Sequence, residues 1–321
     1  MLINDEAVKK IAAMANILDN SASTHWDGHE AKGREYELAK DPFNFSKALS
    51  NFDVIGPIGG ISLKTSLPYK LMHWILQIPF RFIGARFKNF KKINRKASSI
   101  AECQDRAYDG DLMRHTLTMA LINDRLDVDQ DLNLVAVIGD GFANMSSILL
   151  SSNVHSRVIL VNLTKTLLLD LAFLRKAFPH ENIALAQNAD EMEEAIASNN
   201  TRVIAVRADD MHILAQAPVT LGINIKSMME MDPHVTAEYF DVLRKGSAKK
   251  TAFYCCNRDK KTWADGTVIR FSEYPWHAED TILLDEPCAW DQFGYRRKIP
   301  FYYKRSGLNR HRLAYLKKYA G

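Results

Sequence analysis

The chain has 321 residues, an apolar fraction of 47% and a charged fraction of 25%, the profile of a globular protein that buries a core without staples. Its net charge of +4 is modest, and its basic and aromatic residues repeat in no arrangement that would bind nucleic acid. No apolar run approaches the roughly 20 residues that span a bilayer, no signal-peptide pattern opens the chain, and Cys103, Cys255, Cys256 and Cys288 lack metal or disulfide spacing, so the sequence reads as a reduced, cytoplasmic protein.

Residues 1–20 predict a short amphipathic helix, with Val8, Ile11, Ala12, Met14, Ala15 and Ile17 grouped toward one face. His25 and His29 read as solvated or core histidines rather than zinc ligands. Gly56, Pro57, Gly59, Gly60 and Pro68 mark 51–68 as loop. Trp74, Ile75, Ile78, Phe80, Phe82, Ile83 and Phe87 then mix with Arg81 and Arg86, and Pro79 kinks or ends a helix there. Lys88, Lys91, Lys92, Arg95 and Lys96 follow without an acid. Two readings stand side by side: a helix pair packed on the main domain, or a surface in peripheral contact with an anionic membrane. A helical pattern returns from Ile100 to about Leu126 and ends in the polar turn 127–131.

After Asn133, short β-branched or aliphatic runs alternate with helical stretches. That alternation predicts a parallel sheet flanked by helices, a doubly wound, Rossmann-like α/β fold. Strands are expected at 134–138, 157–161, 182–186, 201–207, 221–225, 251–255 and 267–271. Helices are expected after Asn144, at 167–178, around 190–197, and from the N-cap Asp232 with Pro233 to Lys245, where Gly246 ends the run.

In an open α/β sheet, ligands bind beyond the carboxyl ends of the strands, near the switch in strand order. The first strand ends in Gly139, Asp140, Gly141 and Phe142, where glycine lets the backbone approach a ligand. The helix that follows, with Asn144 at its start, offers unpaired N–H groups to an anion. A dinucleotide would place pyrophosphate there; S-adenosylmethionine would place its carboxylate there and its ammonium on Asp140. The same glycine turn also serves folds without a ligand. Nicotinamide enzymes carry a third glycine where this chain has Asn144, which counts against a dehydrogenase. Asn162 ends the second strand, where an acid commonly meets ribose hydroxyls; it hydrogen-bonds without charge, or it only forms a turn. Gln187 and Asn188, after the third strand, complete the candidate cofactor contacts.

From about Ser23 onward the chain resembles the bacterial sugar O-methyltransferases. The resemblance rests on V-I-G-D-G-F-A-N-M at 137–145, L-T-K-T-L-L-L at 163–169 and I-N-I-K-S-M-M-E-M at 223–231. Y-C-C-N-R at 254–258 and D-G-T-V-I-R-F-S-E-Y-P-W at 265–276 complete it. The family pattern has an acid where Asn162 stands. The resemblance implies a class I methyltransferase fold, S-adenosylmethionine as cofactor, and a sugar or glycan hydroxyl as acceptor.

Hydroxyl methylation needs a base and an in-line path, and positioning supplies much of the rate. Glu230, just past a strand end, and His277 are the candidate bases, although Glu230 also reads as a helix-start acid and His277 as an ordinary loop histidine. Glu273 is a third candidate base in the same region. Ser227, Asn257 and Arg258 would orient the acceptor; Tyr274 and Trp276 would stack on a sugar ring or pack in the core. Asp209, Asp210 and His212 form a D-D-x-H cluster, but neighbouring carboxylates commonly point apart, and no metal is assigned.

The sequence divides into a helical extension at 1–126 that covers the acceptor site, a cofactor-binding core at 127–292, and a basic segment at 293–321. From Gln292 onward there are nine Lys or Arg residues and no acid, which reads as a solvated surface or as a grip on an anionic substrate. Two other classes fit the same signals: another Rossmann-type dehydrogenase or nucleotide-sugar enzyme, and an inactive scaffold subunit that kept the fold.

Overall fold

The structure, a computed structural model, describes residues 6–14, 19–23, 55–56, 59–63, 65–127, 131–153 and 155–319. Ala15, Ile17, His25 and His29 lie outside them. Six apolar runs after Asn133 form parallel strands: β1 (Leu134–Ile138), β2 (Arg157–Asn162), β3 (Asn182–Leu185), β4 (Thr201–Arg207), β5 (Leu221–Ile225) and β6 (Thr251–Arg258). Two further strands, β7 (Thr281–Pro287) and β8 (Asn309–Leu316), extend the sheet in the order β7-β8-β6-β5-β1-β2-β4-β3, with β8 antiparallel to both its neighbours.

Side chains alternate across the sheet, so each central strand feeds two cores. Val135, Val137, Val158, Leu160, Leu221 and Ile223 pack on one face, under α4 (Phe90–Cys103), α5 (Gly110–Arg125), α6 (Asn144–Ser152) and α7 (Thr164–Ala177). Leu134, Ala136, Ile138, Ile159 and Val161 pack on the other, against α8 (Ala189–Ala197), α9 (Pro233–Lys245) and a 3-10 helix at Ala208–Gln216. This is a doubly wound, Rossmann-like sheet, as the periodicity predicts.

The N-terminal part is helical. α1 (Glu6–Met14) buries Ala7, Val8 and Ile11; α2 (Leu67–Leu76) and α3 (Ile78–Gly84) meet at Gln77, and Pro79 sits in the first turn of α3. The single helix expected over 100–126 is instead two. Asp105, at φ 52, ends α4, and the Asp109 carboxylate caps α5 by accepting from Leu112 N. The strand expected at 267–271 is Val268–Arg270, paired with Lys260–Thr262 outside the main sheet. The basic segment after 292 also differs from a simple extension. It forms the hairpin Phe293–Tyr295 with Tyr302–Lys304 and then β8, whose Arg310 and Arg312 both reach Asp285 on β7. These ion pairs let a charged segment serve as a strand.

The chain leaves β1 toward β2, while β5 lies on the other side of β1, so the switch point falls between Gly139 and Ser227. Gly139 has φ +70, and a Cβ there would overlap Ser227 Oγ and Cβ. Gly139→Ala should therefore cost more than about 1 kcal/mol of stability. Ser227→Gly should recover the clash but not the backbone strain, a non-additivity that a chemical-denaturation double-mutant cycle would measure. Additive effects would mean that the two residues do not share this contact.

Candidate functional site

The carboxyl ends of β1, β2, β5 and β6 open into a cavity of about 850 Å³, roofed by α2, α3, the start of α5 and the 293–304 hairpin. On the β1–β2 side it is lined by Gly139, Asp140, Gly141, Asn144, Asn162 and Thr166, with one carboxylate and no cation among them. On the β5–β6 and hairpin side, Lys226, Arg258, Arg296, Arg297, Lys298 and Arg305 stand with Glu230, and the start of α5 adds Asp109, Asp111 and Arg114. The cavity is electrically lopsided.

Asp140 turns back onto α6. Its two oxygens accept from Met145 N at 2.9 Å and Ser146 N at 2.8 Å, and Ala143 N donates to Asp170 at 2.9 Å. The amides expected to hold a ligand's anion are thus satisfied by the chain's own carboxyls. Burial, and next the Asp140 charge, push the Asp170 carboxyl well above its usual range. Asn162 donates its amide to Asp170 at 2.8 Å and accepts from Leu163 N, which fixes its orientation at the cavity rim. Asn144 accepts from the buried Arg106 at 2.5 Å. Phe142 packs edge-on against Phe173 in the core. Gln187 and Asn188 lie away from the cavity: Asn188 caps α8 by accepting from Glu191 N, and Glu191 accepts in return from Gln187 N.

At the β5 end, Ser227 Oγ donates to Ile138 O at 3.1 Å and accepts from Asn224. Asn257 is fully buried, accepts from Met229 N and donates to Asn224 Oδ1 at 2.8 Å, so it braces the 224–229 turn beneath the cavity floor. Arg258 lines the cavity with no ion-pair partner among the described residues. Glu230 pairs with Lys261 Nζ at 2.7 Å, and its backbone carbonyl accepts from Ser23 Oγ. That ion pair holds the Glu230 carboxylate on the β5–β6 side of the cavity.

One carboxylate organises the cations. Asp291, buried, meets Lys226 Nζ at 2.9 Å, Arg114 at 3.2 Å and Arg305 at 3.3 Å. Burial, then Arg114, push the Lys226 ammonium down to about 8. Against the upward push of burial, Arg114, Lys226 and Arg305 hold the Asp291 carboxyl below its usual range.

The roof carries a histidine that patterning alone does not single out. His115 lines the cavity, and its Nδ1 lies 2.7 Å from the Asp111 carbonyl, which only accepts, so Nδ1 bears the proton. Nε2 therefore keeps its lone pair, 4.0 Å from an Asp140 oxygen. Burial holds this imidazole below its usual range, so it is neutral at neutral pH. A second tie closes the roof: Tyr295 Oη meets His73 Nδ1 at 2.8 Å and accepts from Gln77 Nε2 at 2.8 Å.

Three expected site residues lie elsewhere. Trp276 packs against Phe240 and Phe253 under Arg312, and Tyr274 packs on Phe271. The backbone N–H of His277 donates to Asp280, which Arg244 grips, and none of the three residues lines the cavity. Glu273 is exposed beside Arg270. Asp209 accepts from Asn20 N, Ser21 N and Ser21 Oγ, so it anchors the N-terminal segment, and Asp210 lies 3.7 Å from Arg207. No cluster suited to a metal ion occurs among the described residues.

No protein-family model matches the sequence, and no curated protein matches it. Among solved structures, it is similar to a candidate O-methyltransferase from Nostoc punctiforme PCC 73102, at 9% identity over 64% of this chain and 59% of that one, TM-score 0.36. It is similar to human N-acetylserotonin methyltransferase, in complex with SAM, at 9% identity over 65% and 57%, TM-score 0.30. It is also similar to a mutant of MtNAS in complex with S-adenosylmethionine, at 11% identity over 97% and 96%, TM-score 0.33. The chain spans less than two thirds of the first two proteins, and all three scores are too low to assign a family or an activity.

Asp291→Asn should leave Lys226 and Arg305 without their counter-charge and Arg114 with Asp111 alone, and cost about 3–5 kcal/mol near neutral pH. Because the native carboxyl is held low, its contribution is complete above the unfolded value of about 3.9 and fades as pH falls through the folded one. The gap between wild type and variant, read by denaturant titration, should narrow in acid. A gap independent of pH would assign Asp291 a packing role only.

Proposed function

We propose that the protein is an S-adenosylmethionine-dependent O-methyltransferase that modifies a hydroxyl of an anionic sugar or glycan. The observation that carries this reading is the division of charge in the cavity. Behind the β1–β2 wall lies the buried Asp140 carboxylate, with no cation among Gly139, Gly141, Asn144, Asn162 and Thr166, a field that suits a sulfonium; the β5–β6 side has Lys226, Arg258 and the hairpin arginines, which suit an anion. Asp140 and Asp170 already occupy the α6 amides, which closes them to a pyrophosphate and to the carboxylate of S-adenosylmethionine alike; what counts against a dinucleotide is Asn144 in place of a third glycine. The doubly wound sheet with a helical N-terminal part is also what the family resemblance implies.

When bound, S-adenosylmethionine would supply an electrophilic methyl group. Gly139 and Gly141, both at positive φ, clear space for it at the end of β1, and Asn162 and Thr166 offer hydrogen bonds beside them. Arg258, Lys226 and Arg297 would hold the acceptor's negative charge. His115 Nε2 would take the hydroxyl proton, and the nearby Asp140 carboxylate would stabilise the imidazolium that forms. Glu230, held by Lys261, would orient the acceptor rather than deprotonate it.

A labelled-methyl transfer assay against nucleotide-sugars and anionic glycans tests the reaction. His115→Gln should lower kcat by about 10²-fold or more with cofactor binding retained, while Glu230→Gln should mainly raise the acceptor KM. The opposite pattern would make Glu230 the base. Transfer to no acceptor of this class would overturn the reading.

The acceptor KM should also rise as pH climbs through about 8, where Lys226 loses its charge. Lys226→Arg should flatten that rise. A KM that is flat across this range in the wild type would remove Lys226 from acceptor binding.

A further inference from the structure

The helix pair α2–α3 is amphipathic in an unusual sense. Its inner face is already used: His73, Leu76, Gln77, Phe80 and Gly84 are buried against the rest of the protein. Its outer face is apolar as well. Leu67, Leu71, Trp74, Ile75, Ile78 and Phe82 fall at spacings of three, four and one along the two helices and form one exposed stripe, with Leu67 at 79% and Phe82 at 73% exposure. A helix packed on its own domain needs no such second face. Scattered exposed apolar residues are ordinary, but six in register are a surface awaiting a partner.

Two neighbours extend the stripe. The 293–304 hairpin is tied to α2 by Tyr302 Oη donating to Leu76 O and by Arg297 stacked over Tyr69. It adds Ile299, 83% exposed, and Phe301, beside the exposed Arg296, Arg297 and Lys298. Helix α4 lies along α3 through the Arg81–Asn94 hydrogen bond. On α4 and the turn before it, Arg86, Lys88, Lys91, Lys92, Arg95 and Lys96 are all exposed, and none forms an ion pair with a described residue. No acid occurs from 81 to 96. An apolar stripe flanked by unneutralised cations matches the boundary between acyl chains and anionic headgroups.

We propose that α2–α3 and the hairpin tip dock this protein onto an anionic phospholipid surface. The stripe would enter the acyl boundary, Trp74 would sit at headgroup depth, and the α4 lysines would face the charged headgroups. No described helix is long and apolar enough to cross a membrane, so the contact is peripheral. The same elements form the cavity roof, since Tyr69, His73, Phe80 and Arg296 to Lys298 all line it. Docking thus brings the cavity opening to the membrane plane, within reach of an acceptor carried on a lipid. The docking itself does not rest on the reaction proposed above, and its test involves no cofactor.

The test is flotation of the full chain with vesicles of phosphatidylcholine alone or mixed equally with phosphatidylglycerol. Binding should require phosphatidylglycerol, weaken with salt, and fall by about tenfold or more in Leu71→Ser/Ile75→Ser/Phe82→Ser, a variant that changes exposed positions only. Lys91→Glu/Lys92→Glu/Lys96→Glu should lose the anionic preference, with circular dichroism unchanged in both variants. Brominated lipid should quench tryptophan emission in the wild type but much less in Trp74→Phe. The proposal falls if the wild type ignores anionic vesicles at low salt, or if the serine variant binds as well as the wild type. It also falls if sedimentation without lipid shows a stable dimer that the serine variant abolishes, since the stripe would then belong to a second copy of the chain.

Discussion

The carboxylate of Asp140 folds back onto the first turn of α6 and accepts from two backbone amides there. Most of the cavity's character follows from that one placement. The left-handed residues Gly139, Gly141 and Ala143 bring the loop round so that the side chain can reach those amides. With the helix start neutralised from within, that wall of the cavity has a buried carboxylate behind it where a phosphate-binding loop would present bare N–H groups. Asp170, whose carboxyl burial and then Asp140 push above its usual range, accepts from Ala143 N and Asn162 as a buried polar strut. Asn162 at the end of β2 therefore makes sense beside this pair, where another acid would add a third carboxyl.

The opposite wall solves the converse problem. Arg114, Lys226 and Arg305 converge on buried Asp291, which lets several cations stand close together at a protein cavity. Each would repel the others without it, and Lys226, whose ammonium is lowered by burial first and by Arg114 next, is the most easily discharged of them. Arg258 and the hairpin tip add charge with no ion-pair partner among the described residues. Cation storage of this kind is costly for stability and sensible for holding an anion. Between the walls, α5 offers a neutral imidazole whose proton position is set by a backbone carbonyl.

The doubly wound sheet was legible because its strands are short, β-branched and flanked by amphipathic helices, a pattern that survives without tertiary information. Gly139 to Gly141, Asn144 and Asn162 were legible for a related reason: topology alone sends strand ends to the site. Ser227, Arg258 and Glu230 line the cavity on the same logic. The remaining features depend on contacts between distant segments. His115 and Arg114 sit mid-helix in a region that reads as cover, and only packing shows that they face β1 and Asp291. Trp276 and Tyr274 belong to a family-like motif, yet Phe240 and Phe253 take Trp276 into the core and Phe271 takes Tyr274. The nine basic residues after 292 hid a strand, since cross-strand pairing with Asp285 is invisible to composition.

The central claim is that the cavity accepts a cationic sulfonium cofactor beside Asp140 and declines a dinucleotide at the same place. Isothermal titration calorimetry of the purified chain with S-adenosylmethionine, S-adenosylhomocysteine and NAD measures it directly. The account predicts saturable binding of both adenosyl ligands at one site, with NAD giving no heat and no competition. At a hundredfold excess over its dissociation constant, either adenosyl ligand would add about 2.7 kcal/mol to the stability of the fold. Saturable NAD binding, with both adenosyl ligands silent at millimolar concentration, would contradict it.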